Sequence, residues 1–328
     1  MRPGTRRSFL WLLGTVLSCA AAVATAQAQQ AYPTRPVRLV VPSSPGGGTD
    51  ITARIIAPKL GEYLGQQVVV ENRSGAGTMI GGEVVARSAP DGYTLLMGIS
   101  TLAINPAMYR KVPYDALKDF APIGQVVSVP NILVTHPSLP AKSVRELIAF
   151  AKARPGQINF ASAGVGTNPH LSMELFLSMA GLKMVHVPYK GSGLGIVDLV
   201  AGHVSVMMPS TLTGLPHIKA GRLRGLGVTS ARRAARAPDI PTIAEAGLPG
   251  YEAVQWFGVL APAGTPREIV SRVHGEIIKL LQVAEIRERL LSDGAEPVGS
   301  SPEEFAAFIR SETVKWAKVV RAAGIKPE

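Results

Sequence analysis

Cysteine is nearly absent from this chain. The single one among 328 residues is Cys19. It falls within the first 28 residues, which read as an export address, so the remaining chain has none. That excludes disulfides, a thiol nucleophile and a cysteine-ligated metal from the mature protein. A second long apolar run is missing as well. Nothing after residue 28 offers the ~20 apolar residues of a membrane-spanning helix, which predicts a soluble mature chain. Catalytic signatures are missing too. There is no G-x-S-x-G elbow and no S-x-x-K paired with a K-T-G box. No loop ends in the Gly-Lys-Ser/Thr of a P-loop. The histidines are His136, His170, His186, His203, His217 and His274, and none pairs at i and i+4 beside a glutamate. These absences predict no enzyme, no metal site and no cofactor.

The amino terminus is informative. Met1–Arg7 carries Arg2, Arg6 and Arg7 and no acid, and Phe9–Ala24 is mostly apolar. Ala26-Gln27-Ala28 supplies small residues where a signal peptidase reads. A positive start, a short apolar run and an A-x-A site make a secretory signal peptide over residues 1–28. Cleavage leaves Gln27 or Gln29 as the first residue. Thr5-Arg6-Arg7-Ser8-Phe9-Leu10 also resembles the twin-arginine motif, so the general secretory and twin-arginine routes both stay open. Val16-Leu17-Ser18 before Cys19 is a poor match to a lipid-attachment site. Export to the periplasm makes ATP, NAD and nucleic acid poor partners. The formal charge of +11 falls to +8 once the three signal arginines are removed. That excess suits attraction of small anions or plain solubility.

About 300 residues then remain, enough for two domains. Short β-branched runs alternate with amphipathic stretches. Strands are expected at Val37–Val41, Val68–Glu71 and Tyr93–Gly98, with helices over Ile51–Leu64 and Thr78–Arg87. A long extended stretch, Ile123–Thr135, is broken by Pro130 and could cross between domains. A second series follows: a helix from Ser143, capped with Glu146 three residues on, then strands and helices to Leu223–Thr229. Val254–Leu260 could carry the chain back. The tail is helical, with Thr265 capping Pro266–Leu281, and Ser-Pro-Glu-Glu opening Ser301–Ala323. Alternating strands and helices imply βαβ units and mostly parallel sheets. Two such sheets facing across a hinge would enclose a small molecule.

Three Gly/Ser/Thr-rich loops lie where strands end and helices begin. They are Pro42-Ser43-Ser44-Pro45-Gly46-Gly47-Gly48-Thr49-Asp50, Ala161-Ser162-Ala163-Gly164-Val165-Gly166-Thr167-Asn168-Pro169-His170 and Pro188-Tyr189-Lys190-Gly191-Ser192-Gly193. Glycine lets backbone approach a ligand, and amides at a helix start favour a carboxylate or phosphate. Thr49 and Asp50 are expected to cap the first helix, and Thr167 or Asn168 the second. His170 could reach a ligand or cap and pack. Gly75-Ala76-Gly77 with Gly81 is one residue too long for a dinucleotide fingerprint.

At these loops the chain resembles the Bug-type extracytoplasmic solute receptors of tripartite tricarboxylate transporters. The matching segments include Tyr32-Pro33-x-Arg35-Pro36, Pro45-Gly46-Gly47-Gly48-Thr49-Asp50 and Val70-Glu71-Asn72-Arg73-x-Gly75-Ala76-Gly77. Pro90-Asp91-Gly92-Tyr93-Thr94-Leu95, Ala163-Gly164-x-Gly166-Thr167 with His170, and Val187-Pro188-Tyr189-Lys190-Gly191 match in turn. So do Pro241-Thr242-x-x-Glu245-Ala246-Gly247 and Trp256-Phe257-Gly258-x-x-Ala261-Pro262-x-Gly264-Thr265-Pro266. The resemblance implies an α/β two-lobed periplasmic binding protein, a type II-like Venus flytrap with a ligand cleft between lobes. Lobe 1 would comprise residues 29–127 plus 253–328, and lobe 2 residues 128–252.

It further implies a monomeric receptor that binds a small mono- or dicarboxylate and delivers it to membrane permease subunits. The alternatives are a sensor presenting its ligand to a membrane kinase and an exported hydrolase. Carried across, Gly46, Gly47, Thr49, Asp50, Ser100 and Thr101 would serve lobe 1. Ser162, Ala163, Gly164, Thr167, His170, Tyr189 and Ser210 would serve lobe 2. One segment departs. Relatives read Val-Asp-x-x-x-Asp-Asn where this chain has Val204-Ser205-Val206-Met207-Met208-Pro209-Ser210. Loss of the second aspartate argues against ligands with an ammonium group.

Overall fold

Strand β1 (Val37–Val41) is apolar except for the partly buried Arg38, and its four other residues are buried, as suits an inner parallel strand. The computed structural model describes residues 32–43, 45–189, 192–292 and 294–327. The signal segment, its cleavage sites and Cys19, together with Ser44, Lys190 and Gly191, lie outside them. Helix α1 (Gly48–Leu64) follows β1 and ends on Gly65, whose φ of 78° suits a glycine cap. Strand β2 (Val68–Asn72), helix α2 (Met79–Ala86), strand β3 (Thr94–Ile99) and helix α3 (Thr101–Met108) complete the first βα series.

The long extended stretch divides into two strands, β4 (Phe120–Pro130) and β5 (Ile132–Thr135). The second series then runs α4 (Val144–Lys152), β6 (Asn159–Ser162), α5 (Asn168–Ala180), β7 (Val185–Pro188) and α6 (Ser192–Val200). Strand β8 (Val206–Met207), α7 (Thr211–Lys219) and β9 (Arg224–Val228) close it. Strand β10 (Val254–Pro262), α8 (Arg267–Leu281), α9 (Ala284–Ser292), β11 (Glu296–Pro297) and α10 (Pro302–Ala322) form the tail.

Two sheets result. The first has the order β11-β4-β10-β3-β1-β2 and the second β7-β6-β8-β5-β9. The chain therefore changes sheet at Asn131 and returns between β9 and β10. The expected mostly parallel sheets are in fact mixed. β1, β2 and β3 pair in parallel, as do β6, β7 and β8. β4, β5, β9, β10 and β11 pair antiparallel. A strand that travels from one sheet to the other and one that returns run in opposite directions, so the crossings cannot extend the parallel order.

The helix at Thr101–Met108 was not expected. It is eight residues long, contains Pro106 and lacks a side-chain cap, so it leaves little trace in periodicity. Other starts differ in detail. Thr265 does not cap α8. Its hydroxyl donates to Pro262 O, and Pro266 takes the cap position. Ser143 accepts from Glu146 N as expected, but Glu146 returns its bond to Lys142 N. The capping box of Ser301 and Glu304 is complete.

Helix α10 lies against α3, β4 and α5, and so touches elements of both series. Phe305 and Trp316 on this helix are fully buried, with Phe305 edge-on to Trp256 at 5.3 Å and 88°. One apolar cluster runs from Val40 and Leu96 through Trp256 and Trp316 to Leu133 and Phe160. The tail helix thus braces the two sheets at one side, and their loops remain to build a site.

Candidate ligand site between the sheets

Parallel pairing brings the carboxyl ends of β1, β2 and β3 side by side, and likewise those of β6, β7 and β8. Ligands bind at such edges in open α/β sheets. The loops after β2 and β3 meet the loop after β6 across a cavity of about 180 Å³ lined by Thr78, Thr101, Asn105, Met108, Gly166 and Thr167 among others. Gly166 stands so close to Met108 that a Cβ there would lie 2.8 Å from its Cε.

On the first sheet, α1 begins without a side-chain cap. Its first intrahelical bond runs from Ile51 N to Gly47 O. The amides of Gly48, Thr49 and Asp50 have no acceptor among the described residues. Thr49 and Asp50 do not cap this helix as expected. Asp50 is instead buried and accepts from Gly46 N at 2.8 Å, Arg54 Nε at 2.9 Å and Asn72 Nδ2 at 2.9 Å. Burial works to raise its pKa, but the bonds from Arg54, Gly46 and Asn72 outweigh it and hold the carboxyl below its ordinary value. Asp50 thus fixes the first loop from behind, and Gly46 follows it with a φ of +79° that favours glycine. Two buried hydroxyls lie at neighbouring strand ends, Ser43 after β1 and Ser100 after β3. Neither Oγ has a hydrogen-bond partner among the described residues.

The loop after β2 carries strain. Ala76 and Thr78 have φ of 45° and 77°, values that non-glycine residues rarely adopt. Asn105 Nδ2 donates to Gly77 O at 2.9 Å, and the hydroxyls of Thr78 and Thr101 lie 2.6 Å apart. Thr101 was expected at the site. Thr78, Asn105 and Met108 were not. The Gly75-Ala76-Gly77 run was the signal that could have found them, because two glycines at a strand end mark backbone held in unusual shapes.

On the second sheet the loop after β6 is closed on itself. Ser162 Oγ accepts from Gly164 N at 3.1 Å and shares a bond of 2.6 Å with His186 Nε2. Thr167 occupies the cap position of α5 but makes no capping bond. Its hydroxyl donates to Gly164 O at 2.7 Å. Pro169 sits inside the helix start as expected. His170 is buried, its Nδ1 accepts from Gly166 N at 3.1 Å, and its Nε2 faces Glu174 at 3.5 Å. Ala163 and Gly164 lie half-buried within this loop. Tyr189 donates to Asp198 at 2.6 Å, and burial with that partner pushes its phenol up to about 12. Ser210 caps α7 by accepting from Thr213 N.

Two mixed sheets joined by crossing strands, with strand-end loops meeting over a cavity, give the α/β frame of a solute-binding protein. Residues 52–325 match the family described as "Tripartite tricarboxylate transporter family receptor". The chain belongs to that family. Protein BugT of Bordetella pertussis is 42% identical over 308 residues, 93% of this chain and 94% of that one. Among solved structures, Rpa4515 of R. palustris with adipate is 41% identical with a TM-score of 0.76, over 90% of this chain and all of that one. MatC of Rhodopseudomonas palustris with bound malate is 32% identical with a TM-score of 0.72, over 88% of this chain and all of that one. The family that the chain matches is thus one of receptors.

Proposed function

We propose that this receptor holds a small organic carboxylate between its two sheets and delivers it to the permease subunits of a tripartite tricarboxylate-type transporter. The observation that carries the reading is the uncapped start of α1 beside the unpartnered hydroxyls of Ser43 and Ser100. A helix start with open amides favours negative charge, and buried hydroxyls without partners are costly unless a ligand completes them. Relatives bound to adipate and malate support the class.

In this reading the lobes are residues 29–127 with 253–328 and residues 128–252, closing about the crossings near Asn131 and Val254. Gly46, Gly47, Thr49, Ser100 and Thr101 present amides and hydroxyls from lobe 1. Asp50 positions that loop. Ser162, Ala163, Gly164 and Thr167 shape the opposite wall. His170 acts through the backbone of Gly166, Tyr189 through Asp198, and Ser210 through its helix cap. The protein acts as a monomer, without metal or cofactor. It reaches the periplasm by the general secretory or twin-arginine route and begins at Gln27 or Gln29, which amino-terminal sequencing of the periplasmic protein checks.

Mass spectrometry of what leaves the denatured protein tests the ligand class. A carboxylate is expected, and titration calorimetry with that compound should show binding at one site per chain. Recovery of a cationic ligand, or calorimetric binding confined to cations, would overturn the reading.

A further inference from the structure

The loop after β2 and helix α3 bring together polar groups whose hydrogen bonds are incomplete. Asn105 is 2% exposed and lines the cavity of about 180 Å³ between the sheets. Its Nδ2 donates to Gly77 O at 2.9 Å and reaches the Tyr114 hydroxyl at 3.5 Å. Its Oδ1 has no hydrogen-bond partner among the described residues. A carboxamide oxygen only accepts, so Asn105 presents an acceptor that lacks a donor. A buried polar atom in that state is costly unless something in the cavity completes it.

The matching donor stands beside it. Thr101 is one helical turn before Asn105 on α3, and Thr78 follows the Gly77 carbonyl that Asn105 holds. Both threonines line the same cavity, and their hydroxyls lie 2.6 Å apart. Each hydroxyl carries one hydrogen. One hydrogen is shared between them, so the other remains, with free lone pairs on the oxygens. Thr78 has a φ of 77°, a value that a β-branched residue rarely adopts and glycine adopts freely. A strained threonine where glycine would fit signals a role for its hydroxyl.

The chemistry of the missing group follows. No described residue that lines the cavity is charged. A carboxylate only accepts, and would face Asn105 Oδ1 without a counter-charge. An ammonium only donates, and would find no acid. An aliphatic group would leave the polar atoms unpaired. A hydroxyl both donates and accepts. Its hydrogen can go to Asn105 Oδ1, and its oxygen can take the spare hydrogen of the threonine pair.

We propose that Asn105, Thr78 and Thr101 form a hydroxyl-reading subsite, through which this receptor prefers hydroxycarboxylates to the same acids without the hydroxyl. The proposal rests on the carboxylate-receptor reading and adds the substituent that the cavity selects.

Three pairs of acids that differ by one hydroxyl test it: lactate and propionate, malate and succinate, mandelate and phenylacetate. Each is titrated calorimetrically into the mature protein. In every pair that binds, the hydroxyacid should bind tighter by at least about tenfold, the value of two hydrogen bonds less the dehydration of the hydroxyl. Equal affinities within the pairs would overturn the subsite and leave the carboxylate reading standing. Binding by none of the six would overturn both. Thr78→Val combined with Thr101→Val removes both hydroxyls at constant shape and leaves neither as an orphan, so the variant should fold. It should lower the hydroxyacid's advantage by at least about fivefold, the value of one hydrogen bond. Thr78→Ser combined with Thr101→Ser should keep the advantage. A purely structural role would weaken both members of a pair together. An unchanged ratio in the valine variant, or the same loss in the serine variant, would therefore overturn the assignment.

Discussion

His170 and His186 stack face to face, with ring centroids 4.0 Å apart and planes 10° from parallel. Phe160 continues the stack at 4.8 Å from His186. The pair stands directly behind the loop after β6, since His170 Nδ1 accepts from Gly166 N and His186 Nε2 shares a hydrogen bond with the Ser162 hydroxyl. Two stacked imidazoles cannot both charge without repulsion. Burial first, and then the neighbouring His170, lower the pKa of His186 from 6.5 to about 4, against a smaller opposing pull from Glu174.

Stability should therefore depend on pH. The folded state resists protonating His186, whereas the unfolded chain takes that proton near 6.5. The stabilisation is present above the unfolded value and is lost as pH falls from 6.5 towards 4. A shift of this size corresponds to about 3 kcal/mol at most, and partial solvent access to the ring reduces it. Thermal melts across this range should show the loss. His186→Phe, which keeps the stack, should flatten it. An equal slope in that variant would assign the effect to other groups.

Ser100→Ala should separate stability from binding. The hydroxyl it removes is buried and unpartnered, so melting should hold or rise, by up to about 1 kcal/mol. Affinity for the carboxylate should fall about fivefold, the value of one hydrogen bond. Calorimetry and thermal denaturation of the same preparation check both, and a stability loss without an affinity loss would contradict the assignment.

Gly47→Val tests the first loop. Gly47 has φ −76° and ψ 162°, a conformation open to any residue. Folding should change by no more than about 0.5 kcal/mol, while the side chain screens the amides of α1 and weakens binding. Unchanged affinity would remove this loop from the site.

Asn168→Ala addresses the two crossings between the sheets. Asn131 Nδ2 donates to Asn168 Oδ1 at 2.6 Å, and Asn168 Nδ2 reaches Val254 O at 3.4 Å. One buried amide thus ties the outgoing crossing, the returning crossing and the start of α5. Its loss leaves buried polar groups unpaired and should cost about 1–3 kcal/mol. Urea denaturation should show a lower midpoint at an unchanged m-value.

The sequence by itself determined the alternation of strands with helices. It also placed the Gly-rich loops at strand ends, because periodicity and glycine are local properties of the chain. Family membership was legible for the same reason, in motifs that span nearly all of the mature chain. Hydrogen-bond partners were not. Thr167 has the residue type and position of a helix cap, yet its hydroxyl turns to Gly164 O. Asp50 could have capped α1 but is drawn behind the loop by Arg54 and Asn72. His170 looked equally able to meet a ligand or pack, and contact with His186 and Gly166 decided it. Only the tertiary structure could settle such choices, since each polar atom has several partners of the right chemistry and packing fixes which comes within 3 Å. The same holds for Ser100, whose hydroxyl is buried without a hydrogen-bond partner among the described residues.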